Sequence, residues 1–285
     1  MTRKSIFEIL EEKYDIEKEF GVIRTLFFEP TLVYGPYFGD KQYITIEQAV
    51  DNNLFFNWKQ RRSCLNTNDL KQKLKLNFVS KGKLDNKILC LEYISNMLEL
   101  SNTKLSYPIF QRTKEGVILE QNINIFLDHI NYEKLILEKE EKVILVPKNP
   151  IATAVAEISS QDTAFAILKY HHASLKGQLE EKRKLLHSIA NEYEPLLNKP
   201  IDGFKDYFDK ATNMLNNINI RHNNKSGRNK KELIAEMSDD ELEGWYDELY
   251  QLLLFCVLIK DNKDRKDRID EFLKQMNPKL DRKKG

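Results

Sequence analysis

The chain has 285 residues and a mass of 33.6 kDa, longer than the ~100–200 residues of a typical single domain, so two domains or one large one are expected. Charged residues make up 31% and hydrophobic residues 41%, with a mean hydropathy of −0.55. This balance excludes a disordered chain, and the longest apolar run, residues 252–259, is far short of the ~20 residues of a membrane span. A formal charge of +1, from 45 basic and 44 acidic residues, excludes a generally basic nucleic-acid binder and leaves room only for a local patch.

No apolar h-region follows Met1, so no signal peptide is expected. Cys64, Cys90 and Cys256 are far apart and odd in number, which argues against a disulfide framework or a zinc knuckle and for a reducing, cytoplasmic location. Residues 27–39 are aromatic and turn-rich, consistent with extended structure. Helices are expected over residues 45–64, 84–100 and 121–132 from apolar residues at three- and four-residue spacing. Two β-prone runs around a charged centre predict a hairpin over residues 135–146, and the Pro147 to Pro150 stretch is the best linker.

Beyond the linker the pattern is almost wholly helical. One long helix is expected from the capping-like Ser159-Ser-Gln-Asp162 to about Pro195, with His172 and Lys182 interrupting its apolar seam. Further helices are expected over residues 204–220, after the capping box at Ser238 to Glu241, and over residues 265–276. The predicted fold is therefore mainly α: an N-terminal α+β region with a β-hairpin at residues 1–148, and an antiparallel helical bundle at residues 149–285.

Dinucleotide, P-loop, zincin and serine-hydrolase signatures are all absent, and ten glycines leave little room for a phosphate-cradling loop. Asp128 with Glu140, Glu141 and Lys142 has the residue types of a metal-nuclease centre, but at this charge density a solvated hairpin turn explains them better, and no metal or cofactor is predicted. Of five histidines, His129 suits a structural role; His171 and His172 diverge by ~100° on a helix and cannot chelate one ion together. Arg183 and His187 lie one helical turn apart, an arrangement able to meet a phosphate or simply to face solvent. Trp58-Lys-Gln-Arg-Arg62 interleaves an aromatic with cations, which suits either a single strand or the flank of an amphipathic helix.

Residues 215–231 stand apart. Between Arg221 and Lys231 there are five basic residues and no acid, a patch that the near-zero total conceals. Metal-free RNA cleavage needs a group near pKa 7 to take the 2′-hydroxyl proton and a fixed cation for the phosphorane; His222 fits the first role and Arg221 the second. Asn216, Asn217 and Asn223 are candidates to bond phosphate or orient the imidazole, and Lys225, Arg228, Lys230 and Lys231 to neutralise the backbone. The same Ile-Arg-His-Asn-Asn run is also a sensible helix C-cap, and both readings stand at this level.

The order of long helix, Leu215-Asn-Asn-Ile-Asn-Ile-Arg-His-Asn-Asn224, basic loop, then Met237-Ser-Asp-Asp-Glu-Leu-Glu-Gly-Trp-Tyr-Asp-Glu-Leu-Tyr250 resembles the C-terminal part of bacterial abortive-infection proteins. It is similar in arrangement to the HEPN superfamily over roughly residues 163–272. Members of that superfamily are helical bundles, frequently dimeric, and often metal-independent ribonucleases of phage defence. Their functional Arg and His usually follow an Arg-x4-6-His pattern, whose arginine would be Arg221 here. His222 instead follows it directly, and Ser226 and Gly227 occupy the later positions. The resemblance implies a cytoplasmic defence protein that binds and cleaves RNA without a metal, as a homodimer and without contact with a membrane. The alternative is a non-catalytic interaction or nucleic-acid-binding module, with the acidic helix at residues 239–248 and the seam around Leu249 and Leu253 as its homodimer or partner interface.

Overall fold

A computed structural model of the protein describes residues 14–33, 42–103, 113–137 and 140–276. The chain forms two compact units, residues 1–148 with 172–174, and residues 149–171 with 175–285. Among the described residues it is mainly α-helical, with two small antiparallel two-stranded sheets, both in the first unit.

The first unit opens with α1 (Ile16–Phe28), started by Asp15, whose carboxylate accepts the free N–H groups of Glu17 and Lys18. Its buried residues Phe20, Ile23 and Phe27 form one stripe on the core. Strands β1 (Thr31–Val33) and β2 (Gln42–Ile44) pair next. The rest of the turn-rich stretch, from residue 34, lies outside the described residues, as does the N-terminal segment up to residue 13.

The helix expected over residues 45–64 is shorter than its apolar pattern implied. Helix α2 (Ile46–Asn53) begins with a full capping box between Thr45 and Gln48 and stops at two asparagines. Two 3-10 turns, Phe55–Asn57 and Lys59–Arg61, then place Phe55 and Trp58 in the core, where the Trp58 indole donates to the Glu141 carbonyl at 2.8 Å. Trp58 is thus spent on packing and has no face left for a base. Helix α3 (Thr67–Lys73) follows.

Helix α4 (Leu84–Thr103) is buried nearly all round, and it anchors the hairpin of β3 (Tyr132–Leu137) and β4 (Lys142–Pro147) that follows α5 (Lys114–His129). The strands pair from Tyr132 opposite Pro147 to Leu137 opposite Lys142. The outer edge of β4 would present unpaired backbone groups. Asn96 of α4 closes it, donating to the Val143 carbonyl and accepting the Val143 N–H, both at 2.8 Å, and Glu92 accepts the Leu145 N–H at 2.8 Å. Side chains of a helix thus serve where a third strand would.

In the second unit, α6 (Pro150–Glu157) carries Pro150 in its first turn, where the missing N–H costs nothing, and α7 (Gln161–Lys169) starts at Ser160. The single long helix expected from residue 159 to Pro195 is two helices. It breaks after Lys169, passes through a 3-10 turn and Gly177 at φ +72°, and resumes as α8 (Leu179–Leu197). His171 and His172 therefore sit in a connection rather than on a helix. Helix α8 runs past Pro195 by two residues. Helix α9 (Lys205–Asn217) and the short α10 (Glu232–Glu236) lead to α11 (Asp239–Met276).

Helix α11 is continuous where a separate last helix from residue 265 was expected. The polar stretch that read as a break is bridged by ion pairs one turn apart: Lys260 with Asp264, Asp261 with Arg265 at 2.7 Å, and Lys263 with Asp267 at 2.9 Å. Its inward face, including Leu242, Tyr246, Leu249 and Leu253, packs against Leu186, Phe208 and Leu215 of α8 and α9 in one core. Leu249 and Leu253 are at most 1% exposed, so the seam expected to receive a partner is filled by the protein's own helices.

Candidate functional site

Helix α9 ends at Asn217, and the chain turns back over α8 through residues 218–222. The turn is made possible by Asn219 at φ +67°, the left-handed region that Asn adopts more readily than most residues. Asn219 and Asn224 then bond each other: the Asn219 N–H donates to Asn224 Oδ1 at 2.8 Å, and the Asn224 N–H to Asn219 Oδ1 at 3.1 Å. Asn224, 1% exposed, also donates from Nδ2 to the Asn229 carbonyl at 3.1 Å, while its own carbonyl accepts the Lys231 N–H at 2.9 Å. The basic loop is thus folded around one buried amide.

This turn sets Ile220 and Arg221 against α8, which carries the other Arg/His motif. The Arg183 Nε donates to the Ile220 carbonyl at 3.3 Å, and Arg221 Nη2 lies 3.0 Å from Glu194 Oε1 further along α8. A cleft of about 240 Å³ opens there, lined by Glu180, Arg183, Lys184, His187 and Ile220. His187 is hydrogen-bonded to Asn191 at 3.1 Å, and His222 is exposed, with no hydrogen bond or ion pair among the described residues.

The other sequence-predicted positions are dispersed. Asn216 and Asn217 line a different hollow of about 450 Å³ with Leu197, Asn198 and Thr212, and Asn217 bonds Asn213. Asn223 pairs with Ser226 and fixes the loop. Lys225 is paired with Asp239 at 2.8 Å and Lys230 with Glu232 at 3.1 Å, so their charge is partly neutralised. Arg228 and the Lys231 side chain stand exposed without an ion-pair partner among the described residues.

Two titratable clusters escaped the sequence reading. In the second unit Lys182, 4% exposed, bridges Glu243 and Asp247, each at 2.8 Å, with its ammonium 5.0 Å from the Tyr170 ring centre. Tyr170 stacks on Tyr250 at 4.2 Å, and His171 sits edge-on to both rings. Burial, and then the Asp247 and Glu243 charges, push the Tyr170 hydroxyl well above its ordinary range. Burial holds the His171 imidazole below its usual value and Lys182 adds to this, against the opposing pull of Asp247 and Glu243. Lys182 lies on the apolar seam with an Asp and a Glu at helical spacing on α11, the signal that would have found it.

In the first unit the His172 Nε2 is 2.5 Å from Glu92 Oε2, and its Nδ1 is 2.8 Å from the Ser174 hydroxyl. The order acid, imidazole, hydroxyl is that of hydrolytic triads. Here, however, the Ser174 backbone N–H also points at Nδ1, at 3.2 Å, so the ring nitrogen closes a local turn. The arrangement pins residues 172–174 to α4.

His129, for which a structural role was expected, stacks on Tyr14 with ring centres 3.7 Å apart. Asp128 is paired with Lys148 at 2.6 Å, and no group of three or more metal-ligating side chains exists among the described residues. The three cysteines are free and buried, and burial raises the Cys90 and Cys256 thiols to about 12 and about 11, which makes both poor nucleophiles. No described helix is long and apolar enough to cross a membrane. No family model, curated protein or solved structure matches the chain.

Proposed function

We propose that the second unit binds RNA, and cleaves it without a metal, at the cleft between α8 and the turn at residues 218–222. The observation that carries this reading is the cleft that Arg183, Lys184 and His187 form with Ile220, the residue just before Arg221 and His222. Cations and imidazoles on α8 and on the adjoining turn are what a phosphodiester transition state requires: a proton acceptor for the 2′-hydroxyl, a proton donor for the leaving oxygen and fixed positive charge between them. His222 and His187 are the proton-transfer groups; Arg221, Arg183 and Lys184 hold phosphate. Glu194 and Glu180 pair with the arginines in the free protein, so phosphate has to displace them, and Arg221, only 17% exposed, has to turn outward to meet it. The HEPN-like arrangement of the sequence and its implied role in bacterial defence agree with this assignment.

Incubating the protein with total RNA in EDTA tests it. Cleavage that is lost in His222→Ala, with binding retained, is the expected result. RNA left intact by the unsubstituted protein would remove the nuclease activity and leave a non-catalytic RNA-binding module.

A further inference from the structure

In the first unit, residues 52–84 hold eight basic residues and one acid, so the remainder of the chain is net acidic and the near-zero total conceals this patch too. Six of the cations, Lys59, Arg62, Lys73, Lys75, Lys81 and Lys83, are exposed and have no ion-pair partner among the described residues. The other two are used in folding. Lys71 pairs with Glu47 at 2.8 Å, and Arg61 donates to the carbonyls of Phe56 and Cys64 at 2.9 and 3.0 Å. Asp69, the single acid, accepts the Leu65 N–H at 3.1 Å.

The free cations stand on turns that are tied to one another. Lys73, at the end of α3, donates to the Ser63 hydroxyl at 3.1 Å. The Phe28 ring meets both the Lys71 ammonium, 5.3 Å from its centre, and the Phe78 ring, 5.1 Å from it. Buried Lys87 donates to the Gly82 carbonyl at 2.6 Å and fixes the turn that holds Lys81 and Lys83. Arg62 at φ +52° and Lys75 at φ +53° occupy left-handed positions that Gly or Asn holds more easily, so each of these turns presents a long cation where a short residue would fit with less strain.

We propose that this surface binds the phosphodiester backbone of a nucleic-acid duplex. Repeated unpaired cations, with the exposed amides of Asn57, Asn68 and Gln72 among them, are the donors that phosphate and sugar oxygens accept. A single strand is gripped by successive stacking rings, and these are missing: Trp58 is buried and bonded to Glu141, and Phe56 alone among the aromatics of this stretch is exposed. A duplex keeps its bases inside and offers its backbone, which is what charge and amides alone can hold. An anionic bilayer is the other large polyanion. Phe56, Leu65, Leu74 and Val79 are exposed, but none lies in an α-helix, so they make no apolar stripe able to settle among lipid headgroups. The surface belongs to the first unit and stands independently of the cleft in the second.

The experiment is fluorescence anisotropy of the full chain with labelled duplexes of about 20 base pairs, one of RNA and one of DNA, across a salt series. The expected result is binding that weakens with salt by about 0.9 logarithmic units per phosphate contact on DNA, the ratio of the two affinities telling which duplex is preferred. Lys59→Glu with Lys73→Glu and Lys81→Glu, three exposed sites, is expected to keep the circular-dichroism spectrum, to weaken duplex binding at least roughly tenfold and to lower the slope by about two to three. The same variant is expected to change single-stranded RNA affinity less than about threefold, and Lys184→Glu with Arg228→Glu to leave duplex affinity within about twofold. No affinity for either duplex, or none lost in the triple variant, overturns the site. An equal loss for single-stranded RNA overturns the choice of a duplex, and an equal loss in the Lys184, Arg228 variant moves the binding to the second unit. Vesicles of phosphatidylcholine and phosphatidylserine at about 7:3, bound through these lysines when neither duplex is, would make the partner a lipid surface and overturn the nucleic acid.

Discussion

Asn219 and Asn224 clasp each other's backbone N–H groups across five residues, and between them stand Arg221 and His222. The pair decides where the candidate catalytic side chains can be. Because Asn224 is buried and also bonds the Asn229 carbonyl, Asn224→Ala leaves several backbone groups unsatisfied and is expected to cost about 2–4 kcal/mol in urea unfolding. Asn219→Gly should be tolerated far better than Asn219→Val, since only the β-branched residue resists φ +67°. Equal losses for Gly and Val would contradict the strained-turn account.

Lys182 is held between Glu243 and Asp247 with almost no access to water. Lys182→Ala leaves two carboxylates facing each other beside the Tyr170 ring and is expected to cost about 3–5 kcal/mol. Replacing all three with well-packed apolar residues is expected to recover most of the loss. Chemical denaturation of the single and triple variants checks both statements.

His171 predicts a direction for acid lability. Its folded-state pKa lies below the ordinary 6.5, so over the interval between the two values the unfolded chain binds a proton that the native protein does not. Stability therefore rises with pH through that interval and is lost on acidification below about 6.5. A His171→Gln variant should show a flatter stability profile between neutral pH and pH ~5. An unchanged slope would assign the acid lability to other groups.

Under the proposed function, phosphate has to displace Glu194 from Arg221. Glu194→Gln removes the competing charge while keeping the side-chain shape, and single-stranded RNA is expected to bind roughly three- to tenfold tighter at low salt, the gain shrinking as salt rises. If Arg221 is only a C-cap, the same variant loses a little stability and RNA affinity does not move.

The hairpin of β3 and β4, α4 and the Ser238 capping box were legible because their signals are local: two apolar β-prone runs around a charged centre, a sustained apolar period, a reciprocal cap. The boundaries that misled were set by tertiary partners. The apolar pattern around Phe55 and Trp58 is helical in spacing, but the indole's bond to Glu141, 83 residues away, favours 3-10 turns. His172 and Lys182 read as blemishes on one seam, whereas Glu92, Glu243 and Asp247 each supply a partner from elsewhere in the chain. At the candidate site, Arg183 to His187 and Arg221 to His222 were both visible as motifs. The bond of Arg183 to the Ile220 carbonyl and the pairing of Arg221 with Glu194 depend on Asn219 reversing the chain, which no periodicity encodes.

The central claim is that the cleft beside α8 and the basic loop engage an RNA backbone. Fluorescence anisotropy of a labelled single-stranded RNA across a salt series tests it most directly, comparing the unsubstituted protein with a Lys184→Glu, Arg228→Glu variant changed only at exposed positions. The account predicts affinity falling linearly on a logarithmic salt scale, with a slope of about −0.7 per phosphate contact, and a shallower slope with at least roughly tenfold weaker binding in the variant. Binding that is absent, insensitive to salt, or unchanged by the two charge reversals would contradict it.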